Sequence, residues 1–427
     1  MQVEIAISSA EGDGRVFLAW TPVQATIRLL DGPGAGQSIG VLLRNAGPGG
    51  QLLFDLERSH AGSSELPLDL PGDGSPVRFW IAGEFERASE DFGDAVLEVV
   101  EATTSAPLGR SEMMVRVRKD AQTLSAAERD RFLSAFGILN GHGTGRFREF
   151  RDMHVRSSLR ESHGNYGFLP WHRAYLLDLE RELQAIDARV SLPYWRFDKA
   201  APNLFTPEFM GRANEVDRVI FTSNHPFNQW MTDGDLGIVR QPLFPIDRAP
   251  SLRSEEHALD FGSGVFSRFS VITRDQNNEV IARRSGIEID PHGYAHTSFM
   301  GPIQSPPTAP KDPLFFMLHA NVDRMWAKWQ WFYRRTSDSD PNAYPRDGNL
   351  RIGHGINDTM WPWNGVTGDP RPATAPGGAL AASTVTSAPG PSPTVRSMID
   401  YQAKQGGAHL GFDYDDVPFE MPEVPVA

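Results

Sequence analysis

Along the first 118 residues, short apolar or alternating runs follow one another: VEIAIS, ATIRLL, SIGVLLRN, QLLFDLE, VRFWIAG, AVLEVVEAT and MMVRVRK. Clusters of Gly, Pro, Asp and Ser, such as DGPGAG, GPGG and PGDGS, separate them. Regular short strands punctuated in this way predict an all-β, sandwich-like domain over residues 1–118. It holds no cluster of catalytic side chains, and His60 stands alone there in a turn-like stretch.

The period changes near Asp120. TLSAAERDRFLSAFGIL opens with Thr123 or Ser125 as a helix cap, and Glu128 three residues after Ser125 matches a capping box. RFREFRDMHVRSSL reads as helix, as does FLPWHRAYLLDLERELQAI, in which Pro170 suits the first helical position. DPLFFMLHANVDRMWAKWQWFYRR is another helix with Pro near its start. Long loops fill the chain between about 190 and 290. A stretch rich in Pro, Ala, Gly, Ser and Thr at 365–394 reads as a loop without a core of its own. The reading is therefore α+β and multidomain. A β-rich domain spans 1–118, a mainly helical domain spans 119–415, and a tail spans 416–427.

With 427 residues, the chain exceeds one ordinary core, which agrees with two domains. The formal charge of −13 disfavours a phosphate backbone as partner, so no nucleic acid is expected. There is no run of about 18 apolar residues, so no membrane span is expected either. Nor does the N-terminal stretch read as a secretory signal. The chain has no cysteine, which removes disulfides, thiolate metal sites and cysteine nucleophiles. These features together suggest a cytoplasmic protein. Any transition-metal site must use His, Asp, Glu or Met.

Among twelve histidines, two groups of three stand out: His154, His163 and His172, then His292, His296 and His319. His292 and His296, four residues apart in PHGYAH, share one helical face. His172 sits in the first turn of a predicted helix, His163 in the glycine-bearing SHGNYGF loop, and His319 on a separate helix. Three neutral imidazoles suit copper in both of its redox states and leave a coordination position open. Zinc accepts the same donors, and spacing alone leaves one metal or two open.

The strings around these histidines carry a resemblance. HGNYGFLPWHRAYLLDLE resembles the copper A motif of tyrosinases, catechol oxidases and molluscan haemocyanins, the type-3 dicopper proteins. PHGYAH with DPLFFMLHANVDRMWAKWQ resembles their copper B motif. The similarity runs over about 123–332, and LGFDYD at 410–415 resembles the tyrosine-containing end of the family's central domain. The resemblance implies a helical four-helix-bundle domain and two copper ions per chain. One ion would be held by His154, His163 and His172, the other by His292, His296 and His319. His142, in NGHGTG, is the alternative to His154.

The activity implied is oxidation by O2 of o-diphenols, monophenols or o-aminophenols to o-quinones or quinone imines. The alternative is O2 carriage without catalysis, as in a haemocyanin. Glu288, four residues before His292, matches a glutamate that orients a water for proton transfer. Gly293 stands where some tyrosinases carry an Asn that helps orient that water, and glycine has no side chain for the task. Asp323 matches a buried aspartate that supports the ligands. Phe168, Trp171, Phe315 and Phe316 are expected to pack and exclude water, and substrate preference is expected from the Thr297–Pro306 stretch. Two departures stand out. Glu161 occupies the place of a cysteine that many members join to a histidine, and Leu318 replaces a histidine beside the third copper B ligand.

Overall fold

The computed structural model describes residues 1–9, 14–58, 62–261, 263–270, 273–274, 280–282, 286–346 and 350–423. His60 lies outside the described residues. The chain divides into two compact units: residues 1–118 with 383–388 and 407–421, and residues 119–382 with 389–406 and 422–427.

Among the described residues, the first unit holds nine strands: β1 (Val3–Ile7), β2 (Val16–Leu18), β3 (Val23–Leu29), β4 (Ser38–Asn45), β5 (Leu52–Asp55), β6 (Glu65–Pro71), β7 (Val77–Gly83), β8 (Ala95–Glu101) and β9 (Pro107–Val115). They form two sheets, ordered β1-β3-β7-β5 and β2-β9-β8-β4-β6. Alternation decides which face is buried: Val23, Ala25, Ile27 and Leu29 of β3 point inward while Gln24 and Arg28 face out. Both sheets feed one core, in which Ile27, Val41, Leu43, Phe79, Ile81, Leu97, Val99 and Val115 lose essentially all solvent contact. Each such side chain is worth about 1.5–3 kcal/mol on burial. Gly83 has a steric reason, since a Cβ there would collide with the side chains of Val115 and Trp20.

The expected assignment of LGFDYD to the helical domain differs from this structure, which places 407–421 in the first unit. The reason is polar. The Trp20 indole donates to the Tyr414 carbonyl at 2.8 Å, and the Thr21 N–H donates to Asp413 Oδ2 at 2.8 Å. The buried Arg118 guanidinium lies 3.7 Å over the Phe412 ring and donates to the Tyr414 hydroxyl at 2.8 Å.

The second unit is helical, with long irregular connections. Its helices are α1 (Ala126–Asn140), α2 (Phe147–Met153), α3 (Leu159–Ser162), α4 (Phe168–Ile186), α5 (Glu255–Phe261), α6 (Phe266–Phe269), α7 (His292–Thr297) and α8 (Leu314–Tyr333). The capping box opens α1: Ser125 Oγ accepts from the Glu128 N–H, and Glu128 accepts from the Ser125 N–H. Gly141, in the left-handed conformation, closes it. The helix expected through RFREFRDMHVRSSL breaks after Met153, where His154 turns the chain out of α2 before a short 3-10 turn at 156–158. Pro170 falls at the third residue of α4 rather than its first. The first turn tolerates it there because those N–H groups have no partner within the helix. Helix α8 is buried almost all round, as a central element must be. It packs against α4, which also packs against α1. Among the described residues, no helix is long and apolar enough to cross a membrane.

Candidate metal centre

The breaks in the helices position the imidazoles. His154 follows the last turn of α2, and His163 follows α3 in an extended conformation. His172 lies one turn into α4, His292 and His296 share α7, and His319 projects from α8. The structure gathers these six as two triads, and within each triad the ring nitrogens lie within 4.8 Å of one another. The triads adjoin: the His172 and His319 rings stack at 4.2 Å, and His163 and His292 lie 6.1 Å apart. His142, the alternative to His154, is exposed on a turn and belongs to neither triad, whereas His154 is buried.

Hydrogen bonds orient five of the six rings. Nδ1 of His154 bonds to the Pro306 carbonyl (2.8 Å), His172 to Phe168 (2.8 Å), His292 to Glu288 (2.6 Å) and His296 to Ile303 (2.7 Å). Nδ1 of His163 bonds to the Glu288 carboxylate at 3.0 Å. Because those oxygens only accept, each of these Nδ1 atoms carries the proton and each Nε2 presents a lone pair.

That tautomer state tests the fit to a metal. Nε2 of His154 and Nε2 of His163 lie 2.9 Å apart with no proton between them. In the second triad, His292 and His296 aim Nε2 at His319 Nε2 from 3.2 and 3.1 Å, and one proton there serves at most one of them. The buried Nε2 of His172 has no hydrogen-bond partner. Converging lone pairs in a dry site repel one another unless a cation lies between them, so the donor set fits one metal ion per triad. Burial, reinforced at most of the rings by repulsion among the imidazoles, lowers all six pKa values. His163 falls to about 3 and His296 to about 4, and the other four lie well below the ordinary range. The rings stay neutral, which is the form that ligates.

Around the triads, Phe168, Trp171, Phe315 and Phe316 are fully buried. Asp323 meets Arg173, with Nε to Oδ1 at 2.6 Å and both side chains buried. Arg173 also reaches Gln330 (3.1 Å) and the Met398 carbonyl (2.7 Å), and it lies 3.7 Å over Trp326. On the same helix as Asp323, Arg324 and Lys328 both pair with Glu255.

Sequence reasoning missed the anchor of the loop carrying His163. His354 is completely buried. Its Nδ1 accepts the Gly167 N–H at 2.9 Å, and its Nε2 donates to the Arg160 carbonyl at 2.7 Å, so it spans the loop from end to end. Glu161, in the cysteine's place, forms a buried ion pair with Arg371 at 3.1 Å, and burial raises its pKa to about 7. Three further described histidines belong to neither triad. His225 is buried between the Phe209 carbonyl and the Phe227 N–H, and His257 is exposed on α5. His409 caps the Gly411 N–H in the first unit.

A cavity of about 510 Å3 opens onto the centre. His163, His292 and His296 face it, with Glu288, Gly293, Thr297, Gln304 and Pro306 in its wall. Its size falls in the range of small-molecule sites, roughly 300–1,000 Å3.

A family profile described as the common central domain of tyrosinase matches residues 144–332. The tyrosinase of Streptomyces glaucescens is 31% identical over 266 residues, covering 58% of this chain and 92% of that protein. That of Streptomyces antibioticus is 30% identical over 269 residues, covering 59% and 94%. Grixazone synthase of Streptomyces griseus is 30% identical over 272 residues, covering 51% and 85%. With nearly the whole length of these tyrosinases matched and both histidine triads in place, the chain belongs to the tyrosinase family.

Proposed function

We propose that this protein is a dicopper oxidase of phenolic compounds, converting o-diphenols to o-quinones with O2. Monophenols and o-aminophenols are the neighbouring substrates. The observation that carries the reading is a cavity of about 510 Å3 ending on three imidazoles drawn from both triads. His154, His163 and His172 would hold one copper, and His292, His296 and His319 the other. When bound, the copper pair supplies O2 binding and two-electron redox chemistry.

The chain's own residues set up that chemistry. Six rings kept neutral by burial offer their lone pairs without competing protons. The Glu288 side chain fixes His163, and its backbone carbonyl fixes His292, so one residue orients a ring in each triad. A phenol's pKa near 10 calls for a proton acceptor at neutral pH. The Glu288 carboxylate, in the cavity wall, is read as the group that positions a water for that proton. Gly293, also in the wall, offers no side-chain hydrogen bond to a water, which favours diphenol oxidation over monophenol hydroxylation. Asp323 is read as holding Arg173 beneath the ligand helices. The finer architecture belongs to the same reading. The two sheets over one core are taken as a sandwich. Helices α2, α4, α7 and α8, which carry or cap every triad histidine except His163, are taken as the family's bundle.

Carriage of O2 without catalysis would need a shielded centre, and a cavity that admits a ring argues against it. The test is quinone formation from a catechol by the copper-loaded chain. Reversible O2 binding without phenol consumption would favour the carrier.

A further inference from the structure

Asp178 is fully buried on α4 and takes no part in orienting a triad ring. Both of its oxygens accept from neutral donors: Oδ2 from the Trp363 indole N–H at 2.8 Å, and Oδ1 from the Ala381 N–H at 2.8 Å. Trp363 is buried too, and its ring lies 5.6 Å from that of Trp171. Trp171 in turn lies 5.0 Å from His172 and 5.8 Å from His154. A row of rings thus runs from the first triad to an indole that is hydrogen-bonded to a carboxylate. We infer, on the basis of the dicopper reading above, that Trp363 is an outlet for oxidising equivalents, giving up electrons through Trp171 towards the first triad while Asp178 takes its N–H proton. The outlet serves when hydrogen peroxide reaches the copper-loaded chain with no phenol there to oxidise.

The proton decides which ring can serve. An indole that loses an electron becomes a strong N–H acid, so it stays oxidised only where a base lies within hydrogen-bond reach. Trp171 donates its N–H to the Trp361 carbonyl at 2.6 Å. Tyr175, 4.9 Å from Trp171, donates its hydroxyl to the Phe150 carbonyl, and burial pushes that hydroxyl well above its ordinary pKa. A carbonyl accepts a hydrogen bond but is not a base. Of these three rings, Trp363 alone meets a carboxylate. Burial raises the pKa of Asp178 to about 6, which strengthens it as a proton acceptor and leaves it ionised at neutral pH.

Two electrons and two protons turn one H2O2 into two waters as the O–O bond breaks. The Trp363 indole supplies the electrons one at a time, and its N–H proton goes to Asp178. Water then adds to the electron-poor ring and forms a C–O bond. Asp178 returns its proton, and the two protons released in all match the two that peroxide takes up. The sum is Trp363 plus H2O2 giving an indole with one added oxygen and one H2O. Oxidising equivalents spent there are kept off the ligand imidazoles of His154 and His172.

The test exposes the copper-loaded full chain to hydrogen peroxide without phenol and maps added oxygen by peptide mass spectrometry, with the metal-free chain alongside. Oxygen should appear on Trp363 in the copper-loaded chain only, and ahead of Trp80 and Trp331, which are less buried. Trp363→Phe keeps a ring without the N–H. It should shift added oxygen onto His154 and His172 and shorten the time for which diphenol oxidation survives peroxide. Asp178→Asn keeps an acceptor but removes the base, and should do the same with Trp363 in place. Copper content and thermal unfolding are measured in parallel. If the variants misfold, freeze-quenched wild-type protein carries the test, and its radical spectrum should be that of a tryptophan lacking the N–H proton. Trp363 left unmodified, or modified equally without copper, in a chain that holds two coppers and oxidises a catechol overturns the outlet and leaves the oxidase reading intact. A chain that retains no copper overturns both.

Discussion

The Glu288 carboxylate lies 3.0 Å from His163 Nδ1, and the same oxygen accepts the Gly164 N–H at 2.8 Å. One carboxylate thus fixes both the ring and the backbone of a loop-borne ligand, which a helix does not hold. Glu288→Ala should weaken copper retention by about 10-fold to 100-fold, as measured by competition with a chelator. Glu288→Gln keeps an acceptor oxygen and should fall between the alanine variant and the wild type. Retention by Glu288→Ala equal to that of the wild type would remove this orienting role.

His354 tests whether the same loop is braced from its other side. His354→Ala removes two buried hydrogen bonds and leaves a donor and an acceptor stranded, at a cost of about 3 kcal/mol in unfolding free energy. The loss should be accompanied by lower copper occupancy, because the brace spans the segment that carries His163. Denaturant unfolding with metal analysis on the same sample checks both. An unchanged copper content in a destabilised variant would confine His354 to a purely structural part.

Arg173 and Asp323 form a buried pair from α4 and α8, the two helices that bring His172 and His319 together. Asp323→Ala strands the guanidinium and should cost about 3–5 kcal/mol. Asp323→Asn, which keeps a hydrogen-bond acceptor, should cost less. Thermal unfolding of the two variants gives the ordering, and equal losses would show that the charge of Asp323 is irrelevant.

Acid should destabilise the metal-free protein. Burial lowers the pKa of His354 to about 4, that of His163 to about 3 and that of His296 to about 4, against an ordinary 6.5. The folded state then binds fewer protons than the unfolded chain, so this stability is fully present above about pH 6.5. It is lost as pH falls towards the folded-state values. Asp178 works in the other direction. Burial raises its pKa from 3.8 to about 6, so its contribution is present below about pH 4 and lost as pH rises to 6. Glu161, raised by burial to about 7, acts in the same sense as Asp178. Two carboxyls stand against at least three imidazoles, and the melting temperature of the metal-free chain should fall from pH 7 to pH 5. A flat or rising profile would contradict the neutral, buried state of these rings.

What could be read from the sequence was local. The Ser125 capping box, the strand alternation of β3 and the four-residue step from His292 to His296 are encoded within a few positions, and the structure shows each of them. The grouping of distant histidines became legible because each sits in a distinctive string. What stayed hidden depends on partners far apart in sequence. His354 meets Arg160 across 194 positions, Glu288 meets His163 across 125, and Arg173 meets Asp323 across 150. Chain order misled where Asp413 and Tyr414 return across more than 390 residues to Thr21 and Trp20. No periodicity records such returns. The break at His154 was missed because the helical pattern runs on past the residue that leaves the helix.

The most direct test of the central claim is copper stoichiometry, measured by metal analysis of the purified chain after loading and removal of excess Cu(II). Two coppers per chain are expected, with His172→Ala and His296→Ala each reduced to one. Wild-type protein that retains one copper or none would contradict the paired triads and the oxidase built on them.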